Sequence, residues 1–169
     1  LLTLGIQPWI RRPTEARLMI VGEAPGTHDD QQGKPFVGPA GILLNNMLRA
    51  VDLSREAIYV TNLLKCRPPE DKDPTPKEIS ECSPFLEAEV QLLKPKLILA
   101  VGQKAAHYLT GHDQPLHQLR GHWFQFRDTA VPLLVSYHPA DLLKTPLHKK
   151  EAYQDFRLLR QALSTAAHA

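Results

Sequence analysis

The sequence has few cysteines and no long apolar run, and each shortage excludes a class of protein. Cysteine occurs only at positions 66 and 82 of 169 residues, which is too few for a disulfide framework. No apolar run approaches the roughly 18 residues that a membrane span requires, and none resembles the apolar core of a secretory signal. We therefore predict a cytoplasmic protein with no membrane partner.

The net charge is also small. Twenty lysines and arginines face 18 aspartates and glutamates, which leaves a formal charge of +2. This excess is compatible with nucleic-acid binding but is not evidence for it. Hydrophobic residues make up 43% and charged residues 22%, as in an ordinary globular protein. The length suits one domain, which we predict over residues 17–165, preceded by an N-terminal peptide over residues 1–16.

Short aliphatic runs alternate with helical patterns between proline-rich loops. We predict strands over residues 18–21, 58–61 and 97–101, then a strand pair over 123–126 and 131–136. Helices are predicted over 40–51, over 75–94 with Thr75 as the cap, and over 149–162 with Tyr153, Phe156, Leu159 and Leu163 on one face. The pattern predicts a three-layer α/β/α fold around a central, mainly parallel, four-stranded sheet.

Four loops follow the strands of this predicted sheet. They begin at Gly22, Asn62, Gly102 and His138. Because ligands bind beyond the carboxyl ends of parallel strands, we expect these loops to meet in one crevice.

Several residues in these loops could carry chemistry, although each has a simpler interpretation. Glu23 lies in a glycine-bounded turn, where it could position water or be an ordinary surface residue. Phe36 could stack on a base or fill the core. The amide of Asn62 matches the O4 and N3–H edge of uracil, but it could equally fix a loop. His138 could donate to an oxygen that gains charge, or be structural.

Two leucines and a lysine follow His138. Leu142 and Leu143, beside Lys144, could form a wedge that fills the gap left by a flipped base. They could equally be core residues of a short helix.

The ordered set of motifs is more specific than any member. From about residue 17 to residue 163 the chain closely resembles the family 4 uracil-DNA glycosylases, through Gly22-Glu23-Ala24-Pro25-Gly26, Lys34-Pro35-Phe36-Val37-Gly38, Asn62-Leu63-Leu64-Lys65-Cys66-Arg67-Pro68-Pro69, Leu119-Arg120-Gly121 and His138-Pro139-Ala140.

The resemblance implies an enzyme that removes uracil from DNA. It places Glu23 at the position that orients or activates water and His138 at the position that stabilises charge on uracil O2. Gly22, Phe36 and Asn62 take the uracil-binding positions, with Phe36 stacking on the base. DNA containing uracil is the implied substrate.

The resemblance also implies contacts with the DNA backbone. Two loops look like the family's backbone-gripping loops, and the segment after His138 looks like its minor-groove loop. The residues concerned are Pro68, Pro69, Gln103 and Lys104 in the first two, and Pro139, Leu142, Leu143 and Lys144 in the third.

The chain departs from the family at its cysteines. Family members hold a four-iron, four-sulfur cluster on four cysteines. Cys66 and Cys82, 16 positions apart, match the second pair, but residues 1–24 contain no cysteine. Two thiolates cannot complete the site, so we predict a protein without cofactor or metal. Completion by His28, by an upstream segment or by a partner chain remains an alternative.

Residues 4–13 support a different hypothesis. This stretch, which contains Trp9, resembles the N-terminal peptide of the bacterial DNA polymerase III psi subunit. That resemblance implies a catalytically silent accessory subunit that binds clamp-loader subunits through residues 4–13. A phosphate-binding protein is the third alternative, but the turn from Gly22 to Gly26 lacks the lysine, serine or threonine that would hold a phosphate.

Overall fold

A computed structural model describes residues 17–166, which form three layers around one sheet. The strands are β1 (Leu18–Gly22), β2 (Tyr59–Asn62), β3 (Leu97–Val101), β4 (Trp123–Gln125) and β5 (Pro132–Ser136). The helices are α1 (Thr27–Gln32), α2 (Pro39–Ala50), α3 (Pro76–Leu93), α4 (Gln103–Thr110), α5 (Leu116–Leu119), α6 (Pro139–Lys144) and α7 (Lys149–Ala166). Three short 3₁₀ turns cover Arg55–Ala57, Pro69–Asp71 and Pro146–His148. The predicted N-terminal peptide, residues 1–16, lies outside the described residues.

The sheet has the order β2-β1-β3-β5-β4. The first four of these strands are parallel, as predicted. The predicted total of four strands is wrong, because β4 adds a fifth strand antiparallel to β5, with Trp123 opposite Leu134. The turn between β4 and β5 is short, so the two strands pair as a hairpin at the sheet edge.

The inner strands β1, β3 and β5 are buried on both faces because they are almost entirely apolar. On one face, Leu97, Leu99 and Val101 of β3 pack with α2 and α7. On the other, Ile98 and Ala100 pack with α3 and α4. This alternation follows from the two-residue period of a strand. The α/β class predicted from the sequence is confirmed.

The helix boundaries lie close to the predicted ones. Thr75 caps α3, with its hydroxyl accepting the Glu78 amide at 3.2 Å. The predicted face of α7 needs one correction. Phe156 and Leu159 are buried, but Tyr153 is 44% exposed. The buried face continues through Ala152 instead, since residues four apart lie above one another on a helix.

No helix between residues 17 and 166 has the combination of length and apolarity needed to cross a bilayer.

Candidate active site

The loops after β1, β2, β3 and β5 meet at the carboxyl edge of the sheet. Gly22, the last residue of β1, pairs in register with Asn62, the last residue of β2. His138 follows β5 by two residues, and the Gly102 amide after β3 donates to the Ser136 carbonyl at 3.0 Å. The parallel strands therefore bring residues that are far apart in the sequence to one edge.

Gly22 allows an aromatic ring and an amide to approach the backbone closely. A methyl group at this position would lie 2.5 Å from Asn62 Oδ1 and 2.6 Å from Phe36 Cζ. Both distances are shorter than atomic contacts permit. Only glycine therefore lets the two side chains lie against the end of β1.

The loop that carries Phe36 is held in place by the half-buried Arg55 and the buried Asp29. The Arg55 guanidinium donates to the carbonyl oxygens of Pro35 and Phe36, and Asp29 Oδ1 accepts the Val37 amide at 2.9 Å. Phe36 itself has a φ of 54°, a conformation that is uncommon for a bulky residue. Such a conformation persists where surrounding contacts hold it, which here fixes the direction of the ring.

His138 lies beside Phe36 with one ring nitrogen committed. The ring centroids are 5.3 Å apart at 29°, in a stacked arrangement. His138 Nδ1 accepts the Ala140 amide at 3.0 Å, which leaves Nε2 to carry the proton of the neutral ring. Burial lowers the pKa of His138 to about 4. At neutral pH the residue is therefore an uncharged imidazole with one N–H donor available.

Asn62 presents a polar atom without a partner. Its side chain is 3% exposed, and Oδ1 accepts no hydrogen bond from residues 17–166. Leaving a buried acceptor unpaired costs about 1–3 kcal/mol. Such an atom beside an aromatic ring is typical of a site whose ligand supplies the missing donor.

Glu23, the residue after Gly22, contributes a carboxyl group at the same edge of the sheet. Its Oε2 accepts the Lys104 amide at 2.6 Å, which joins the loop after β1 to the start of α4. Burial raises the pKa of Glu23 to about 7, although the Lys104 amide opposes this rise. Gly102 has a φ of +99°, and any β-carbon there would lie 2.8 Å from the Glu23 carboxyl carbon. Glycine at 102 therefore leaves the space that this carboxyl occupies.

The arrangement suits a flat polar heterocycle. Phe36 offers a face for stacking, Asn62 offers an unpaired amide, and His138 offers a donor to an oxygen. Glu23 could accept a proton near neutral pH, because its pKa lies there.

The sequence model of the Uracil DNA glycosylase superfamily matches residues 10–157. The chain belongs to this superfamily.

Members of the superfamily from other organisms align over most of the chain. The Type-4 uracil-DNA glycosylase of Saccharolobus solfataricus is 38% identical over 90% of this chain and 74% of its own length. The Type-4 enzyme of Archaeoglobus fulgidus is 36% identical over 85% of this chain and 75% of its own. The Type-5 uracil-DNA glycosylase of Thermus thermophilus is 32% identical over 78% and 71% respectively.

The residues expected to contact DNA differ in exposure. Pro69, Gln103, Leu143 and Lys144 are exposed and Lys104 is half-buried, whereas Pro68, Pro139 and Leu142 are buried. The predicted role of Leu142 in a wedge is wrong, because the segment forms helix α6 and Leu142 is 0% exposed. It packs in a small cluster with Tyr137 and Ala152. Leu143 at 46% and Leu147 at 89% are the exposed leucines of this segment.

A polar network that the sequence patterns do not predict lies at the end of β5, two residues before His138. Asp155 of α7 is fully buried, and it accepts from Ser136 Oγ at 2.7 Å and from the Arg120 guanidinium at 2.5 and 3.1 Å. The motif Leu119-Arg120-Gly121 contains Arg120 but does not predict its ion pair with Asp155. Nothing near Asp155 in the sequence indicates a partner 35 positions away.

The two cysteines of this superfamily member are free thiols. Cys66 is exposed and Cys82 is half-buried. Residues 17–166 contain no group of three or more histidine, cysteine, aspartate or glutamate side chains arranged to hold a metal ion. A four-iron, four-sulfur cluster takes four thiolates, so the two present do not fit it.

Proposed function

We propose that the protein is a monofunctional uracil-DNA glycosylase, which hydrolyses the N-glycosidic bond of a uracil flipped out of DNA. One observation carries the proposal. The unpaired amide oxygen of Asn62, the Phe36 ring and the His138 imidazole meet around Gly22 in a chain of this superfamily. Family membership supports the reaction class, and the geometry supports the assignment of residues.

Recognition of uracil uses complementary hydrogen bonds and stacking. Uracil N3–H would donate to Asn62 Oδ1, which has no other partner among the described residues, and the Asn62 amide would donate to O4. Phe36 would stack on the base. Cytosine carries no N3–H and has an amino group at C4. Its N3 acceptor would therefore face the Oδ1 acceptor of Asn62, and its amino donor would face the amide donor.

The reaction separates charge between the sugar and the base. As the bond between C1′ and N1 breaks, its electron pair moves onto uracil, and the negative charge spreads to O2. His138 Nε2–H donates to O2 as this charge develops, and because the ring is neutral its Nδ1 still accepts the Ala140 amide, which keeps the ring in place.

Glu23 acts on the other half of the reaction. Its carboxylate favours the positive sugar and orients a water molecule on the face opposite the departing base. The water oxygen bonds to C1′, and its proton passes to Glu23, whose pKa of about 7 suits it as an acceptor. Uracil leaves as its N1 anion and takes up a proton from solvent, while Glu23 releases its proton to solvent, so the products are uracil and an abasic site.

Excision from a labelled uracil oligonucleotide, read as strand cleavage at abasic sites, tests the proposal. We expect His138→Ala and Asn62→Ala each to lower the single-turnover rate by about 10²–10³. His117→Ala, at an exposed histidine of α5, is the matched control and should keep the wild-type rate. Wild-type protein that leaves the oligonucleotide intact over a range of salt concentrations would refute the activity.

We further propose that excision proceeds without an iron-sulfur cluster. Two observations support this: Cys66 and Cys82 are free thiols, and residues 17–166 contain no group of three or more histidine, cysteine, aspartate or glutamate side chains that could hold a metal ion. Iron analysis and the visible absorption spectrum of anaerobically purified protein test it. About four irons per chain with absorption near 400 nm would contradict it.

Two other expectations remain proposals. Binding of clamp-loader subunits through residues 4–13 concerns a segment outside the described residues, and co-purification of wild-type and Trp9→Ala protein with those subunits tests it. A DNA polymerase of Bacillus phage SP01 is 29% identical over 88% of this chain but over only 16% of its own length. A cytoplasmic location also stays a proposal, supported by the free cysteines.

A further inference from the structure

A groove of about 510 Å³ lies between α3 and α4, outside the proposed uracil site. Both helices begin near the carboxyl edge of the sheet and pack on the same face. The side chains that matter for the argument are Ser80 and Ser83 of α3, Lys104, His107 and Tyr108 of α4, and Arg127 of the turn after β4.

The groove carries a net positive charge, from Lys104 and Arg127 against the single carboxylate of Glu87. Within residues 17–166, neither Lys104 nor Arg127 forms an ion pair. The Arg127 guanidinium lies 3.9 Å from the centroid of the Tyr108 ring, which holds it over the groove wall. Glu87 is the one carboxylate among the lining residues, and it accepts the Tyr108 hydroxyl at 3.2 Å. Two cations without carboxylate partners fit an anionic occupant.

The groove is continuous with the proposed site. The Lys104 amide donates to Glu23 at 2.6 Å, while the Lys104 side chain lines the groove. Tyr108, whose ring contacts the Arg127 guanidinium, lies one helical turn after Lys104 on α4, a rise of about 6 Å along the helix axis. The groove therefore starts beside the reacting groups and leads away from them.

We propose that this groove binds the sugar–phosphate backbone of the uracil-containing strand, beyond the phosphates next to the flipped nucleotide. Lys104 and Arg127 contact successive phosphates, and the hydroxyls of Ser80 and Ser83 lie beside the same path. The proposal rests on the proposed function, because it identifies the path of the substrate. Continuity with the site favours DNA over an acidic protein segment.

Arg127→Gln tests the groove, with Arg157→Gln as the matched control. Arg157 is an exposed arginine of α7, on the opposite face of the sheet. Binding is measured by fluorescence anisotropy with a uracil-free single strand of about 25 nucleotides between about 50 and 200 mM salt. We expect Arg127→Gln to weaken binding about 5–20-fold and to reduce the slope of log K against log salt by about 0.7, the contribution of one phosphate.

Excision kinetics provide a second readout that depends on substrate length. We expect Arg127→Gln to lower kcat/KM about 5–20-fold on the long strand containing one uracil. A trinucleotide with a central uracil is too short to reach Arg127, so its kcat/KM should not change. Arg157→Gln should leave both substrates unaffected.

The outcomes separate this inference from the proposed function. Wild-type excision with an unchanged salt slope in Arg127→Gln would overturn the groove and leave the glycosylase intact. Equal losses in Arg127→Gln and Arg157→Gln would also overturn it, since the effect would then come from net charge. If Arg127→Gln lost binding to polyglutamate but not to DNA, the groove would belong to an acidic protein partner. Without wild-type excision the proposed function fails, while the anisotropy still decides whether the groove binds DNA.

Discussion

Glu23 combines burial with a pKa near physiological pH, and this combination predicts how the reaction depends on pH. The carboxylate form orients water and favours the positive sugar, whereas the protonated form does neither. Because the pKa of Glu23 is raised to about 7, kcat/KM for excision should fall about tenfold per pH unit as the pH drops below 7. His138 stays neutral across this range, since its pKa is lowered to about 4.

Single-turnover rates between about pH 5 and 9 measure this dependence. Glu23→Gln should be slower than wild type and should lack the acidic limb, because glutamine does not titrate. A limb that persists in Glu23→Gln would assign the titration to another group. A flat wild-type profile would show that no group with a pKa near 7 controls excision, and a wild-type rate in Glu23→Gln would show that the carboxylate is not needed.

The substitution Gly22→Ala tests whether excision requires the space at the end of β1. In Gly22→Ala the new methyl group would lie 2.5 Å from Asn62 Oδ1, so Asn62 or Phe36 must move. We expect excision to fall by at least 10², because a displacement of about 1 Å at a reacting site costs that much. Gly26→Ala is the control, since a β-carbon there meets nothing within 4 Å. Wild-type excision rates in both variants would mean that the close packing at Gly22 has no role in recognition.

At the scale of elements, Arg55 supports the loop that carries Phe36. Its guanidinium donates to two consecutive carbonyl oxygens, at Pro35 and Phe36, and to Asn45 Oδ1 at 3.3 Å. Arg55→Gln should lower the free energy of unfolding by about 1–3 kcal/mol and slow excision about tenfold or more, because the carbonyls lose a charged donor. Urea denaturation and single-turnover excision measure the two effects.

Arg49→Gln is the matched control for this loop. Arg49 is an exposed arginine of α2, and within residues 17–166 its one hydrogen bond is the donation to Asn46 at 2.8 Å. We expect it to change stability by less than about 0.5 kcal/mol. Wild-type excision in Arg55→Gln would show that the loop holds Phe36 without this clamp.

The elements themselves could be predicted from local patterns, but their exposure often could not. Strands β1 and β3 are continuous apolar runs, so their positions follow from the sequence alone. The segment after His138 contains leucines that fit either a wedge or a helix, and local sequence does not choose between them. Packing against Tyr137 and Ala152 decides that Leu142 is a core residue. The support from Arg55 was missed because it acts on a loop 19 positions away.

At the scale of the whole molecule, the layers are joined by a buried ionic network. Asp155 connects α7 to Ser136 at the end of β5 and to Arg120 after α5. It therefore fixes the strand that leads to His138, two residues beyond Ser136. Convergence of the site residues could be predicted, because parallel strands must end at one edge. The network could not, because its members share no spacing or motif.

Glu23 and His138 also make opposite contributions to the pH dependence of stability. Between the ordinary pKa of 4.5 and the raised pKa of about 7, folded Glu23 keeps a proton that the unfolded chain has lost. Its contribution is therefore present at low pH and is lost as the pH rises through 7. Between about 4 and the ordinary pKa of 6.5, unfolded His138 binds a proton that the folded protein does not. Its contribution is therefore present above 6.5 and is lost as the pH falls.

Two single substitutions separate these contributions. For each variant, the quantity of interest is its free energy of unfolding minus that of wild type. As the pH rises from 5 to 8, this difference should increase by about 1–2 kcal/mol for Glu23→Gln and decrease by a similar amount for His138→Gln. Both values are below the full pKa shifts because each side chain keeps some contact with water. Urea denaturation at the two pH values measures the differences, and changes of the same sign in both variants would contradict the assignment. Asp155, whose pKa burial raises, is present in all three proteins, so its own titration cancels from each difference.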